Sequence, residues 1–223
     1  MSSPSVTHKT YEHPGNELVL ALVPPDVRRV LDVGCGTGGN AARLRDAGAE
    51  VDGVTLSEAE AAQARLVCRE VWLHNLEEGL PDAAQGPYDA VVCSHVIEHL
   101  CFPSKLLNDA RRVLKPGGVL VVALPNLLFW RYRLRLLAGR FEYESGGVMD
   151  DTHFRWYSFE SAQRLLAEHG FEKMHAGADG ALPVSFLRRI VPSALMKKVD
   201  AAVLKLWPGL FGWQMIFQYR RPA

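Results

Sequence analysis

Three clusters in this chain carry groups able to do chemistry. The run Leu31-Asp32-Val33-Gly34-Cys35-Gly36-Thr37-Gly38-Gly39 sets alternating glycines directly behind a short apolar stretch. Such glycines permit a tight turn and let backbone N–H groups close on a ligand at a helix N-terminus, whose dipole favours negative charge. The G-x-G-x-G spacing, with Asp32 ahead of it, differs from the G-x-G-x-x-G of nicotinamide binders, although Gly39 blurs the distinction. The second cluster, Ser94-His95-Val96-Ile97-Glu98-His99, follows another apolar run, where the carboxyl edge of an open sheet would collect ligands. The plain alternative for Glu98 and His99 is a loop anchor that caps the next helix. The third cluster, Asp150-Asp151-Thr152-His153-Phe154-Arg155-Trp156-Tyr157-Ser158, gathers acids, His, Arg and aromatics in one loop, a composition that suits a substrate wall. Asp151 is placed to orient the His153 imidazole; the plain alternative is a surface loop with a structural Asp–Arg pair. Glu98, His99, Asp151 and His153 have the ligand chemistry for a divalent cation, but nothing in their spacing demands one and no metal is expected.

The elements that must position these groups alternate. Apolar runs at Arg29–Val33, Val51–Leu56, Val71–Leu73, Tyr88–Cys93 and Val119–Leu124 read as strands. Helical composition at Asn40–Ala47, an Ala-rich segment opened by a Ser57/Glu60 capping box, and Pro103–Leu114 separate them. Lys115-Pro116-Gly117-Gly118 reads as the stop of the last of these helices. Strands alternating with helices imply a parallel sheet covered on both faces. Leu127–Leu137 is apolar but studded with arginines, and Glu142–Asp151 reads as a loop. Ser158–His169 reads as a capped helix, Phe171–His175 as a sixth strand and Gln214–Tyr219 as a seventh. The expectation is a single α/β domain over 1–223: a Rossmann-like, doubly wound, mostly parallel seven-stranded sheet with a helical insertion at about 177–212.

Composition bounds the partners. Lys plus Arg and Asp plus Glu number 25 each, so no global field favours nucleic acid. Four cysteines without a CxxC pair suggest reduced, structural thiols. Neither an apolar leader nor a stretch approaching ~20 apolar residues is present, so the expected location is the cytoplasm. Basic residues beside large apolar ones at Phe129–Leu137 and between Leu187 and Trp213 fit helices packed on the core. They also fit a lipid-like acceptor or a peripheral membrane contact.

The glycine motif resembles that of class I methyltransferases dependent on S-adenosylmethionine (SAM), and four further segments in order support the resemblance: Val51–Ser57, Leu76–Pro81, Tyr88–Leu100 and Arg112–Gly118. It covers roughly residues 25 to 175. The resemblance implies SAM as cofactor, released as S-adenosylhomocysteine, with Asp32, Gly34, Cys35, Gly36 and Gly38 contacting its methionine part. It places Thr55 and Leu56 at the ribose, where an acid is usual, and Asn75 and Leu76 at the adenine. Asp52 is the nearest acid but would point differently within its strand. Ser94 and His95 fall beside the sulfonium or the acceptor. Glu98 and His99 resemble a pair in ubiquinone-biosynthesis O-methyltransferases, and relatives place a His at the position of His153 facing the acceptor. His153 is then the first choice of general base, with His99 second. Residues 1–25, with His8–His13, resemble a lid over the SAM site. The segment around Pro125-Asn126 and Gly139-Arg140-Phe141 is also similar to methyltransferases of glycan and natural-product pathways.

The resulting expectation is methyl transfer to a small-molecule acceptor, lipid-like or glycan-linked, most simply at oxygen, by a monomer or homodimer. Nitrogen acceptors such as amino sugars stay open, as does a non-catalytic SAM-binding regulatory partner. Cyclopropane formation is suggested only by Gly53–Ser57.

Overall fold

The computed structural model describes residues 14–184 and 186–223. Its centre is one seven-stranded sheet in the order β3-β2-β1-β4-β5-β7-β6. The strands are β1 (Arg29–Val33), β2 (Glu50–Thr55), β3 (Glu70–Leu73), β4 (Tyr88–Ser94), β5 (Leu114–Pro125), β6 (Glu172–Gly180) and β7 (Gly212–Arg220). The pairs β1–β2, β1–β4, β2–β3 and β4–β5 are parallel, whereas β7 runs antiparallel to both of its neighbours. This is the doubly wound, mostly parallel architecture expected. The chain order reverses between β1 and β4, so the loops leaving those strands open a crevice at their carboxyl ends.

Helices α1 (Glu17–Leu20), α2 (Gly39–Asp46), α3 (Glu58–Ala64), α4 (Ser104–Val113), α5 (Trp130–Leu137) and α6 (Phe159–Glu168) connect the strands; α7 (Leu187–Ile190), α8 (Ser193–Leu206) and α9 (Pro208–Phe211) lie between β6 and β7. Two apolar clusters bury the sheet. One gathers Leu31, Val91, Leu107, Leu120 and Phe217, the other Val30, Leu44, Val51, Val92 and Val121. Leu31 and Val30 are chain neighbours on opposite faces, which is why the central strands read as continuous apolar runs.

Several local readings change. The Lys115–Gly118 segment does not merely stop α4: it opens β5, because Gly117 N–H donates to the Arg221 carbonyl and Arg221 N–H to that of Gly118. β6 outruns its apolar stretch to Gly180, because β7 offers partners as far as Gly212, so the helices between the two begin at Leu187 rather than at 177. Ser57 does cap α3, but Glu60 does not return the bond to complete a box. The capping box at Ser158 is reciprocal, with Ser161 in the third position. The lid residues His8–His13 lie outside the described residues. The chain just after them reaches the crevice: Asn16 N–H donates to Asn40 Oδ1 at 2.8 Å and its amide lies 3.4 Å from Ser94 Oγ. Among the described residues no helix is long and apolar enough to cross a membrane.

One buried side chain ties the insertion to the sheet. Asn126, just beyond β5, donates to the carbonyls of Gly209 (3.0 Å) and Gly212 (2.7 Å) and accepts from Leu128 N–H. An apolar replacement strands three backbone groups at once. Asn126→Ala is expected to cost about 3 kcal/mol, the scale of buried polar groups left without partners. Urea unfolding should show a lower midpoint at unchanged slope; an unaltered midpoint would mean that water takes over all three bonds.

Candidate active site

The glycine loop follows β1 and is shaped by contact. Gly34, at φ 69°, sits so close to Val96 that a Cβ would lie 2.4 Å from the valine Cγ2. That packing holds the loop after β1 against the loop after β4. Gly38, at φ 91°, is the N-cap of α2 and leaves the helix start without a side-chain cap. Cys35 donates its N–H to the Val54 carbonyl, and its thiol packs with Cys68 over Gly53. Cys68 and then burial push that thiol far up. Asp32 is wholly buried beside the loop, and neither carboxylate oxygen has a partner of hydrogen-bond geometry. Burial pushes its pKa up to about 7, partly offset by the Asn40 side chain.

At the ends of β2 and β3 the acids are arranged differently from the sequence expectation. Asp52 is buried within β2 and neutralised there, accepting two bonds from Arg69 (2.9 and 2.6 Å) and one from the Tyr88 hydroxyl (2.8 Å). It is a structural acid. Thr55 gives its hydroxyl proton to the buried carboxylate of Glu60 at 2.6 Å. Glu60, which the sequence suggested as a helix cap, thus brings an acid to the end of β2 from the first turn of α3. A cavity of about 510 Å³ lies alongside, lined by Leu56, Ser57, Glu58, Ala59, Leu73, His74 and Asn75. The Asn75 amide oxygen, expected to face an adenine, accepts from Glu77 N–H and caps the short 3-10 turn that begins at Leu76.

Beyond β4 the chain enters a left-handed conformation at His95, φ 57°, an uncommon setting for a residue with a side chain. His95 Nδ1 lies 3.1 Å from Glu98 Oε1. Burial pulls the His95 pKa down, but the hydrogen bond and charge of Glu98, with help from Gln214, more than offset it and leave it raised. Because 36% of the His95 side chain is open to solvent, that pairing is screened. Glu98 is fully buried. Its carbonyl accepts from Phe154 N–H and Arg155 N–H, which clamps the 150–158 loop onto the β4 loop. The clamp brings His153 against His99, ring centroids 4.7 Å apart and nearly perpendicular. His99 Nδ1 lies 3.2 Å from the Thr152 carbonyl, and His153 Nδ1 lies 3.0 Å from that of Val148. A carbonyl can only accept, so both rings carry their proton on Nδ1 and a lone pair on Nε2. Burial lowers the His153 pKa, with Glu98 opposing and His99 reinforcing the shift.

Asp151 does not orient an imidazole: it is exposed on the turn. Its neighbour Asp150 is buried, accepts from the Thr152 N–H (2.9 Å) and hydroxyl (2.5 Å), and so fixes the residue that holds His99. Arg155 donates to the Cys101 carbonyl rather than to an aspartate. Trp156 Nε1–H shares the Val148 carbonyl with His153 and stacks with Phe141 and Tyr143, centroids 5.8 Å away in each case. The sequence reading gave Glu60 only a capping role, placed Asp150 and Tyr157 in the third cluster without a role of their own, and assigned none to His74 or Gln214. Among the described residues, the buried side-chain polar atoms without a partner are Asp32 Oδ1 and Oδ2, His74 Nε2, Glu98 Oε2, Tyr157 OH and Gln214 Nε2. Gln214 pairs with Pro125 at the carboxyl end of β5, and Tyr157 bridges to Asn126 just beyond it. All of these atoms therefore lie toward one edge of the sheet, where the loops after β1, β3 and β4 also emerge.

Comparison with known proteins gives the family. A family model described as a methyltransferase domain matches residues 8–176. The ubiquinone biosynthesis O-methyltransferase of Alkalilimnicola ehrlichii is 36% identical over 104 residues, 44% of this chain and 42% of that protein. Its counterpart from Maricaulis maris is 32% identical over 130 residues, 56% of this chain and 50% of that protein. The matches thus span about half the length of these curated relatives or less. A SAM-dependent methyltransferase from Archaeoglobus fulgidus superposes with a TM-score of 0.63 at 21% identity, over 92% of this chain and 93% of that one, which shows a shared fold. The chain belongs to the methyltransferase-domain family, in which SAM is the methyl donor.

Proposed function

We propose that this chain transfers a methyl group from SAM to an oxygen of a small-molecule acceptor. The observation that carries the reading is the set of orphaned polar atoms at one sheet edge. Burying such groups unpaired costs about 1–3 kcal/mol each, so their collection on one side fits a ligand that completes them. The residues present suit SAM. Asp32, an unpartnered buried carboxylate, suits the cationic amino group of the methionine part beside Gly34, Gly36 and Gly38. Glu60, with Thr55, offers a carboxylate acceptor for ribose hydroxyls. His74, Asn75, Leu56 and Leu76 surround or border the cavity that suits the adenine. Bound SAM supplies an electrophilic methyl group on a sulfonium and leaves as S-adenosylhomocysteine.

The chain's own residues then have to bind, orient and deprotonate the acceptor. His153 and His99 present Nε2 lone pairs beside the buried Glu98 carboxylate, a proton-accepting cluster that a hydroxyl needs and an amine does not. A regulatory module would need no such cluster either. The Phe141–Tyr143–Trp156 wall, joined to His153 through the Val148 carbonyl, suits an acceptor with an apolar or aromatic body. The arginines beside large apolar residues, which fit core-packed helices or else a lipid-like acceptor or membrane contact, are partly used within the protein: Arg133 binds the Gly209 carbonyl, Arg135 pairs with Glu144 and Arg188 with Asp200. That favours an apolar acceptor over a membrane surface as the use of this region.

Calorimetric titration with SAM and S-adenosylhomocysteine is expected to show binding of both, tighter for the product; binding of neither overturns the reading. His153→Gln is expected to keep S-adenosylhomocysteine affinity while lowering turnover of a hydroxylated acceptor by about 10²–10⁴-fold, the range of general-base contributions. Unchanged turnover would remove the cluster from the chemistry.

Asp32 gives a pH test. Its folded pKa, about 7, lies above the ordinary 3.8, so the folded state holds an extra proton between these values and stability falls as pH rises through them. Above pH 7 the full penalty applies, and Asp32→Asn should then stabilise the ligand-free protein by about 2–4 kcal/mol, with the gain vanishing near pH 4. The same substitution should abolish SAM binding. In the parent protein, affinity for SAM should rise with pH up to about 7 as the carboxylate forms, and then level. A flat stability difference across pH 4–8 would show that Asp32 is ionised throughout.

A further inference from the structure

We infer that Cys35 and Cys68 form an oxidation site: a peroxide closes them into a disulfide, and the closed form shuts the glycine loop against SAM. The effect on SAM rests on the cofactor reading above, whereas the site itself stands on how the two side chains are placed. Both cysteines are buried free thiols, 6% and 9% exposed, in one apolar cluster. They meet over Gly53 of β2, where a Cβ would lie 2.7 Å from the Cys35 sulfur and 3.2 Å from that of Cys68. A side chain at that position would press on both sulfurs, so the glycine is what lets them come together. Contact with Cys68 is also the largest cause of the upward pKa of Cys35, ahead of its burial. The remaining cysteines stand elsewhere: Cys93 lies in the other apolar cluster, and Cys101 is partly exposed, its N–H donating to Glu77.

The pair sits where a cross-link has consequences. Cys35 lies between Gly34 and Gly36, and its main chain ties the turn together. Its N–H donates to the Val54 carbonyl and its own carbonyl accepts from Gly38 N–H, each at 2.9 Å. Cys68 closes the turn after α3, its N–H donating to the Ala64 carbonyl at 2.8 Å. That turn packs against the far end of the glycine loop. A Cβ at Gly38 would lie 2.6 Å from Val67 Cγ2 and 3.3 Å from Ala64 Cα, so the chain beside Cys68 already touches the N-cap of α2. Bonded sulfurs stand about 2.05 Å apart, closer than two thiols in contact. Drawing Cys68 to that distance brings Val67 onto Gly38, and it takes the Cys35 thiol off the Gly36 carbonyl, 3.7 Å away. Both moves distort the loop whose N–H groups must stay open to the cofactor.

A peroxide supplies the oxidising equivalents. Cys35, its thiol pushed up, is the poorer nucleophile of the two, so the first attack falls to Cys68. The Cys68 sulfur takes one peroxide oxygen, the O–O bond breaks and water leaves, giving a sulfenic acid. The Cys35 sulfur then attacks that of Cys68; the S–O bond breaks, and hydroxide leaves with the Cys35 proton as a second water. Two thiols are oxidised to one disulfide and one peroxide is reduced to two waters. Because coupling is reciprocal, a loop that binds SAM less well once closed is also harder to close while SAM or its product is bound. Oxidation therefore traps the cofactor-free protein.

The test uses the full chain, reduced and then treated with hydrogen peroxide. Trypsin cuts after Arg29, Arg43, Arg65 and Arg69, so the cross-link should appear as residues 30–43 joined to 66–69 and be split again by dithiothreitol. S-adenosylhomocysteine should bind the oxidised protein about tenfold more weakly or worse, with affinity restored by dithiothreitol. Saturating S-adenosylhomocysteine should in turn raise the reduction potential of the pair by about 30 mV for each tenfold of weakening. Cys68→Ala should bind S-adenosylhomocysteine like the parent and keep that affinity after peroxide; should it not fold, Cys68→Ser takes its place. Cys101→Ala should respond to peroxide as the parent does. A map without the joined peptide overturns the site. So does a cross-link that leaves S-adenosylhomocysteine affinity unchanged, or an equal loss of affinity in peroxide-treated Cys68→Ala. Failure of the reduced parent to bind S-adenosylhomocysteine is a different result: it sinks the cofactor reading, and the peptide map alone then upholds or overturns the oxidation site.

Discussion

Burying a polar atom without a partner is the constraint around which this molecule is arranged. Some buried polar groups, whether or not they lie near the carboxyl edge of the sheet, are answered within the protein. Asp52 is answered by Arg69 and Tyr88, and Asn126 by Gly209, Gly212 and Leu128. At that edge the orphaned atoms of Asp32, His74, Glu98, Tyr157 and Gln214 are left open. The contrast matters because the same backbone supplies both: Asp32 and Asp52 sit one register step apart on neighbouring parallel strands, Leu31 opposite Asp52 and Asp32 opposite Gly53. Alternation of side chains along a strand sends the two carboxylates to different surroundings. One meets arginines over the flank of the sheet, and the other meets the glycine loop.

The strain and the clamps of the site follow from the need to hold those open groups in place. His95 adopts a left-handed backbone where the chain must leave β4, drop Glu98 into the core and still return its own ring to Glu98 Oε1. Backbone groups do most of the positioning thereafter. The Glu98 carbonyl takes two N–H groups from the 153–155 stretch, and the Thr152 and Val148 carbonyls each fix an imidazole. Support through the main chain leaves side-chain identity free for the chemistry, and it lets loop geometry select which ring nitrogen of each histidine faces a carbonyl.

How much of this was legible in the sequence depends on whether the determinant was local. The strands β1 to β4 and β7, the glycine turn and the Ser158 cap are written in consecutive residues, and they stand within a residue or two of where composition put them. β6 and β5 ran longer than their apolar stretches because partners on β7 and at Arg221 extended them, information held elsewhere in the chain. Asp150 and Asp151 are indistinguishable by type; the bridge between Glu144 and Asp150 turns the first inward and leaves the second in solvent. Asn75, expected at the adenine, lies just beyond β3, and its oxygen accepts from the Glu77 N–H two residues on, the local bond that Asn offers at a helix start. His99 and His153 could be paired by no spacing rule, because a tertiary clamp joins them.

Glu60 shows how a missing residue type can be recovered from space rather than from position. Two cis hydroxyls are best held by one carboxylate, and the end of β2 carries Thr55 instead of an acid. Capping logic assigns Glu60 to the helix start, where its carboxylate would reach back to the Ser57 N–H. That N–H instead faces Thr55 Oγ1 at 3.4 Å, and Glu60 turns inward to take the threonine proton at 2.6 Å. The hydroxyl is thereby committed on both sides, as donor to Glu60 and as acceptor from Ser57. The threonine then works as the bracket that holds the acid in place, and the carboxylate that the strand lacks is supplied by the helix that follows it.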